Sequence, residues 1–169
     1  MPYDFFLTTP RLGFRHWTDA DEPLALGLWG DPDVTRMLGG PFTDDHVRQR
    51  LATQITMQHE HGIQYWPIFL LNTEEHVGCC GLRPYQPKIP ELGFHLRKAF
   101  WGQGLAREAA TAVIHYAFAN LQIDAIFAGH YPDNANSRKV LLSLGFQYAG
   151  EAVYPPTGIL EPTYLLHRR

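Results

Sequence analysis

The feature that most constrains this chain is a short apolar run, Glu91-Leu92-Gly93-Phe94-His95-Leu96, followed closely by Trp101-Gly102-Gln103-Gly104-Leu105-Ala106 and then a long helical pattern. A strand that feeds a helix through a glycine-bearing turn leaves several backbone N–H groups at the helix start without partners. Those groups add to the positive end of the helix dipole, and together they suit a phosphate or pyrophosphate. Glycines at 102 and 104 let a ligand approach the backbone, and Ala106 keeps the next position small. The turn alone is weak, because two glycines separated by one residue also make a tight connection with no ligand. The dinucleotide fingerprint fails, since Arg107 stands where its third glycine belongs, and the P-loop lysine is missing.

The rest of the pattern reads as one domain over residues 1–169, with no repeat or linker dividing it. Leu12 to Trp17 reads as a first strand. Thr18, with Asp21 three residues on and Pro23 in the first turn, opens a helix to about Trp29 that stops at Gly30-Asp31-Pro32. A second helix opens at Thr43; Val47, Leu51 and Ile55 recur every four residues, and Gly62 ends it. Strands follow at Tyr65–Leu71, Val77–Tyr85 and Glu91–Leu96, with Pro67 weakening the first or placing it on an edge. Leu105, Ala109, Ala112, Val113 and Tyr116 trace the buried face of a helix ending near Asn120. Ile123–His130 is a buried strand, Asp133 or Asn134 caps a helix through Ser143, and strands at Phe146–Tyr154 and Glu161–His167 complete the chain. The order describes a mixed α/β sheet with antiparallel hairpins and a strand–helix–strand crossover.

Hydrophobic residues at 45%, charged residues at 18% and a formal net charge of -3 fit a globular chain, with nothing that asks for nucleic acid or an anionic membrane. No apolar run approaches the roughly 20 residues that span a bilayer, and Met1 to Arg15 lacks the pattern of a secretory leader. A cytoplasmic location is the resulting expectation. Cys79 and Cys80 are adjacent, point to opposite faces in a strand and cannot bridge without strain. His59 and His61 lie two apart and no HExxH occurs, so no metal is expected.

About thirty residues beyond the turn, Asn134-Ala135-Asn136-Ser137-Arg138-Lys139-Val140-Leu141-Leu142-Ser143-Leu144-Gly145-Phe146 places polar groups at a short helix start and ends in Leu-Gly-Phe. Singly, these are a cap and a helix stop. In combination with the earlier strand and Gly-Gln-Gly-Leu-Ala turn, they resemble the two cofactor motifs of the GNAT superfamily of N-acetyltransferases. Thr8-Thr9-Pro10-Arg11-Leu12 and Gly30-Asp31-Pro32-Asp33-Val34-Thr35-Arg36 resemble the opening of the branch that contains the ribosomal-protein N-terminal alanine and serine acetyltransferases. The resemblance spans nearly the whole chain. Trp101 departs from the Arg or Gln of the superfamily pattern, which leaves the backbone N–H groups with most of the task.

The resemblance implies an α/β fold with a mostly antiparallel sheet of six to seven strands, helices on both faces and a V-shaped splay between two central parallel strands. It implies acetyl-CoA as co-substrate, with Phe94, His95 and Leu96 along the pantetheine arm. Trp101, Gly102, Gln103, Gly104, Leu105 and Ala106 would hold the pyrophosphate, with Asn134 on the opposite side. The implied reaction is direct attack of an amine, from a protein N-terminus or a small molecule, on the thioester. Many members carry a tyrosine seven residues after the motif asparagine; here that position is Leu141, and the branch implies Ser137 as the group that stabilises the leaving thiolate, with Asn136 a weaker substitute. Glu91 is the expected base, and His95 alternates onto the same side. The rival readings are a module that binds acyl-CoA without turnover and a transferase of another acyl group. The acceptor would be chosen by the first two helices and the loops around Gly39-Gly40-Pro41 and Pro155-Pro156-Thr157-Gly158. A homodimer is allowed by the sequence but not specified by it.

Overall fold

The computed structural model describes residues 3–169, so the first two residues of the Met1–Arg15 segment lie outside it. Eight strands form one sheet: β1 (Leu7–Thr8), β2 (Leu12–Phe14), β3 (Tyr65–Leu70), β4 (His76–Gln86), β5 (Ile89–Leu96), β6 (Ala125–Gly129), β7 (Gln147–Tyr154) and β8 (Ile159–His167). Their order across the sheet is β1-β2-β3-β4-β5-β6-β8-β7, antiparallel at every junction except β5–β6. The helices are α1 (Glu22–Trp29), α2 (Pro32–Thr35), α3 (Asp44–His61), α4 (Leu105–Asn120) and α5 (Ala135–Ser143). The sheet therefore has eight strands rather than six or seven. The additional β1 is two residues long, too short for alternation to announce it.

Strand alternation divides the apolar side chains into two cores. On one face Trp66, Cys80, Leu82, Leu92 and Ile126 pack with Leu105, Ala109 and Val113 of α4 and Leu141 of α5. On the other, Tyr65 and Cys79 pack with Leu28 and Trp29 of α1 and Val47 and Leu51 of α3. The adjacent cysteines thus serve opposite cores, both free and buried. Thr43 caps α3 by accepting from the His46 N–H at 3.1 Å, and Gly62 ends it at φ +71°.

Pro67 does not lie on an edge strand: β3 sits between β2 and β4. The last β2 pair is Phe14 with Ile68, so Pro67 falls one residue past the end of that short partner, and its carbonyl accepts from the Arg15 N–H at 3.3 Å. A proline is tolerated where the ladder on one side has already stopped.

Candidate active site

The two parallel strands touch at one register position, Glu91 opposite Phe127. Beyond it β5 runs on to Leu96 with β4 on one side and no strand on the other, and the gap opens into a cavity of about 480 Å³. Its lining includes Phe94, His95 and Leu96 on β5, then Trp101, Gly102, Gly104, Leu105 and Ala106 at the mouth of α4. An unpaired strand edge can hydrogen-bond an extended ligand as a further strand would.

The mouth of α4 has the geometry of an anion site. Gly102 and Gly104 adopt φ of +75° and +76°, the left-handed region that favours glycine. Gly104 caps the helix without a side-chain bond, and no backbone acceptor meets the N–H groups of residues 102–107. Trp101 folds its indole back to donate to the Leu96 carbonyl at 2.9 Å, which ties the turn to the end of β5. Gln103 lies outside the lining; its side chain donates to the Ala99 carbonyl at 3.2 Å.

The back of this turn is braced by residues far away in sequence. Arg11 donates through Nε to Glu108 at 2.7 Å and through Nη1 to the Gln103 carbonyl at 3.1 Å, while the Thr9 hydroxyl donates to Glu108 at 2.6 Å. Burial would raise the Glu108 carboxyl, but the hydrogen bonds from Thr9 and Arg11 outweigh it and hold it below its usual range. Thr9 and Arg11 thus set the first turn of α4 against the β1–β2 connection, a positioning role.

Across the splay, the Asn134 side chain accepts from the Ser137 N–H at 3.1 Å and caps α5. Asn134, Asn136 and Ser137 all line the cavity. Because the cap uses the Ser137 amide, its hydroxyl is left for other work.

The far end of the cavity carries the groups that sequence reasoning underrated. Glu91 is committed to Arg83, whose Nε donates to its carboxylate. Glu161, on β8, is 7% exposed, lines the same cavity and has no partner among the described hydrogen bonds and ion pairs. Burial, with repulsion from Glu91 and partial relief from Arg83, pushes its carboxyl up to about 7. Gly129 of β6 lies beside it: a Cβ there would stand 3.6 Å from Glu161 Oε1, an ordinary contact distance. Sequence reading passed over Glu161 as the polar start of a strand, and nothing local to it signals otherwise.

His95 is held as a hydrogen-bond acceptor. The Trp29 indole N–H donates to its Nδ1 at 3.1 Å, which assigns the ring proton to Nε2, and burial holds the ring neutral. Tyr65 packs over Gly93 so closely that a Cβ there would meet the ring at 2.5 Å, and burial raises its phenol far above the ordinary range. Neither group is suited to accept a proton near neutral pH. Among the described residues no group of three or more His, Cys, Asp or Glu could hold a metal ion, and no helix is long and apolar enough to cross a membrane.

Comparisons with known proteins agree with this architecture. The family described as the acetyltransferase (GNAT) domain matches residues 11–147. The uncharacterized N-acetyltransferase p20 of Bacillus licheniformis is 32% identical over 148 residues, which is 85% of this chain and 83% of that protein. An acetyltransferase from Agrobacterium tumefaciens str. C58 superposes with a TM-score of 0.84 at 25% identity, covering 99% of this chain and 96% of that one. The ribosomal L7/L12 alpha-N-protein acetyltransferase RimL, in complex with coenzyme A, shares the fold with a TM-score of 0.81 at 20% identity over 97% of this chain and 98% of that one. With the splay, the uncapped helix mouth and these matches in agreement, the chain belongs to the GNAT acetyltransferase family.

Proposed function

We propose that this protein transfers the acetyl group of acetyl-CoA to a primary amine, with Glu161 as the base and Ser137 as the partner of the leaving thiolate. The observation that carries the reading is that one cavity joins the α4 mouth, where Gly102, Gly104, Leu105, Ala106 and Arg107 have no backbone acceptor, the open edge of β5, Ser137 and an unpartnered, buried Glu161.

The amides of residues 102–107 fit a pyrophosphate, and the free edge of β5 at Phe94–Leu96 fits the amide-bearing pantetheine arm. Acetyl-CoA would supply the activated acyl group. An alkyl ammonium has a pKa near ~10, so it must lose a proton before it can attack. A Glu161 carboxylate titrating at about 7 is ionised in half or more of the molecules at and above neutrality, yet basic enough to take that proton. The amine lone pair forms the new C–N bond. A backbone N–H on β5 meets the charge that develops on the carbonyl oxygen, and as the C–S bond breaks the nitrogen sheds its second proton, which reaches the departing sulfur through the Ser137 hydroxyl and leaves the amide and the free thiol.

Glu161 takes the place that sequence reading gave to Glu91, whose carboxylate is held by Arg83. Glu91 then acts on the base through its charge, as one of the causes that raise Glu161.

The test is thiol release from acetyl-CoA in the presence of N-terminal peptides, polyamines and aminoglycosides. Amine-dependent release supports transfer. Tight coenzyme A binding with no release on any amine would identify a module that holds acyl-CoA without turnover.

A further inference from the structure

We infer that Arg50 is the anion-binding residue of the acceptor pocket, and that the acceptor is a primary amine that also carries a carboxylate. The inference rests on the acetyl-transfer reading above and specifies its substrate class.

Arg50 lies on α3 and lines the same cavity as Glu161 and His95. Its guanidinium is placed 5.0 Å from the Trp29 ring centroid and 5.5 Å from that of Phe42. Its Nε is buried without a hydrogen-bond partner, and Arg50 makes no ion pair among the described residues. Other arginines show how unusual this is. Arg15 also has a buried, unbonded Nε, but its two terminal nitrogens reach Asp21 at 2.7 and 2.9 Å. Arg48, two residues from Arg50 and exposed, pairs with Glu22 and Asp45.

A half-buried cation without a counter-ion is costly, and contact with aromatic faces offsets only part of that cost. Those contacts leave the in-plane edge of the guanidinium for a ligand, and that edge matches the two oxygens of a carboxylate. The pocket's own carboxylates do not serve: Asp33 is bound by Lys98 at 2.9 Å, Glu91 is held by Arg83, and Glu161 carries no ion pair. The charge of Arg50 acts on Tyr65, Cys79 and His95, whereas Glu161 responds to Glu91 and Arg83. The cavity therefore has an anion-seeking pole at Arg50 and a proton-accepting pole at Glu161. A zwitterionic amine satisfies both at once, and a bare polyamine would set a second cation against Arg50.

The carboxylate can belong to a free amino acid or to a peptide with an acidic residue near its N-terminus, and matched pairs separate the sources. The full chain is assayed with acetyl-CoA on leucine, leucinamide and isoamylamine, on tetrapeptides differing only by Asp or Asn after the N-terminal residue, and on phosphoethanolamine. The same compounds are titrated calorimetrically into protein loaded with coenzyme A, a readout that needs no turnover. In at least one pair the carboxylate member is expected to be favoured tenfold or more in kcat/KM or in affinity. Arg50→Gln should erase that preference chiefly through KM, and Arg50→Lys should restore part of it.

Equal handling of every pair by the wild-type chain overturns the inference without needing any variant. So does a preference that survives Arg50→Gln, or phosphoethanolamine bound above all carboxylates. Arg50-dependent carboxylate binding without thiol release would uphold the inference and sink the acetyl-transfer reading. Thiol release indifferent to the carboxylate would do the reverse.

Discussion

The indole N–H of Trp29 on α1 donates to Nδ1 of His95 on β5 across 3.1 Å, a partly buried polar contact that ties this helix to the splayed strand. Trp29 is fully buried, packs against Trp17 and faces Arg50. Trp29→Phe removes both the donor and part of the ring volume. It should lower unfolding free energy by about 2–3 kcal/mol, the sum expected for a lost, partly buried hydrogen bond and a small cavity. Urea denaturation followed by circular dichroism measures it, and an unchanged midpoint would contradict the role given to this contact.

Glu161 supplies a pH signature. Rate should rise with pH as its carboxyl ionises and level off above about 7, because only the ionised form takes a proton from the amine. Glu161→Gln should lower kcat/KM by about 10²–10³-fold and remove that inflection. A pH–rate profile that keeps its shape in the variant would exclude Glu161 as the base.

The same group links stability to pH. Its carboxyl binds a proton more tightly in the folded chain, at about 7, than in the unfolded chain, near ~4.3. The stability it contributes is therefore complete below the unfolded value and is lost as pH rises through about 7. Relative to Glu161→Gln, the wild-type chain should lose about 3–4 kcal/mol between acidic and mildly alkaline pH. Parallel urea curves of the two proteins across that range give the difference directly.

Gly104 holds φ +76° at the mouth of α4, and a Cβ there would meet only Arg11 Nη2 at 3.7 Å. Space is available, so the penalty of Gly104→Ala lies in the backbone, about 1 kcal/mol. Relief of that strain would rotate the amides away from a shared focus. Coenzyme A affinity by calorimetry should fall about tenfold while the fold is retained.

Ser137→Ala keeps the Asn134 cap, because the bond runs from the Ser137 amide rather than its hydroxyl. Turnover should drop at least about tenfold, with coenzyme A affinity changed less than about twofold. Equal turnover would remove the hydroxyl from the mechanism.

Much of this architecture is legible where local rules act alone. The four-residue spacing of Val47, Leu51 and Ile55, with Thr43 before and Gly62 after, delimits α3 because caps and periodicity are properties of neighbouring residues. The glycine turn and the Asn134 cap are visible for the same reason. Glu161 and Arg50 are not. Glu161 matters because folding sets it beside Gly129 and within reach of Glu91, and Arg50 because α3 carries it over Trp29 and Phe42. In sequence they are a carboxylate before a proline and a cation on a polar helix. Glu91 draws attention for the motif it stands in, while its partner Arg83 lies on the neighbouring strand, at the register position directly opposite.

The ladder pair Glu91–Phe127, with the Asp124 N–H donating to the Lys88 carbonyl at 2.9 Å at the strand starts, joins the sheet's two leaves, β1–β5 and β6–β8, at one end of a short seam. Whatever occupies the wedge supplies cross-links that the polypeptide omits, so the bound molecule becomes a structural rivet as well as a reagent. Each catalytic cycle would then end by loosening the protein that carried it out.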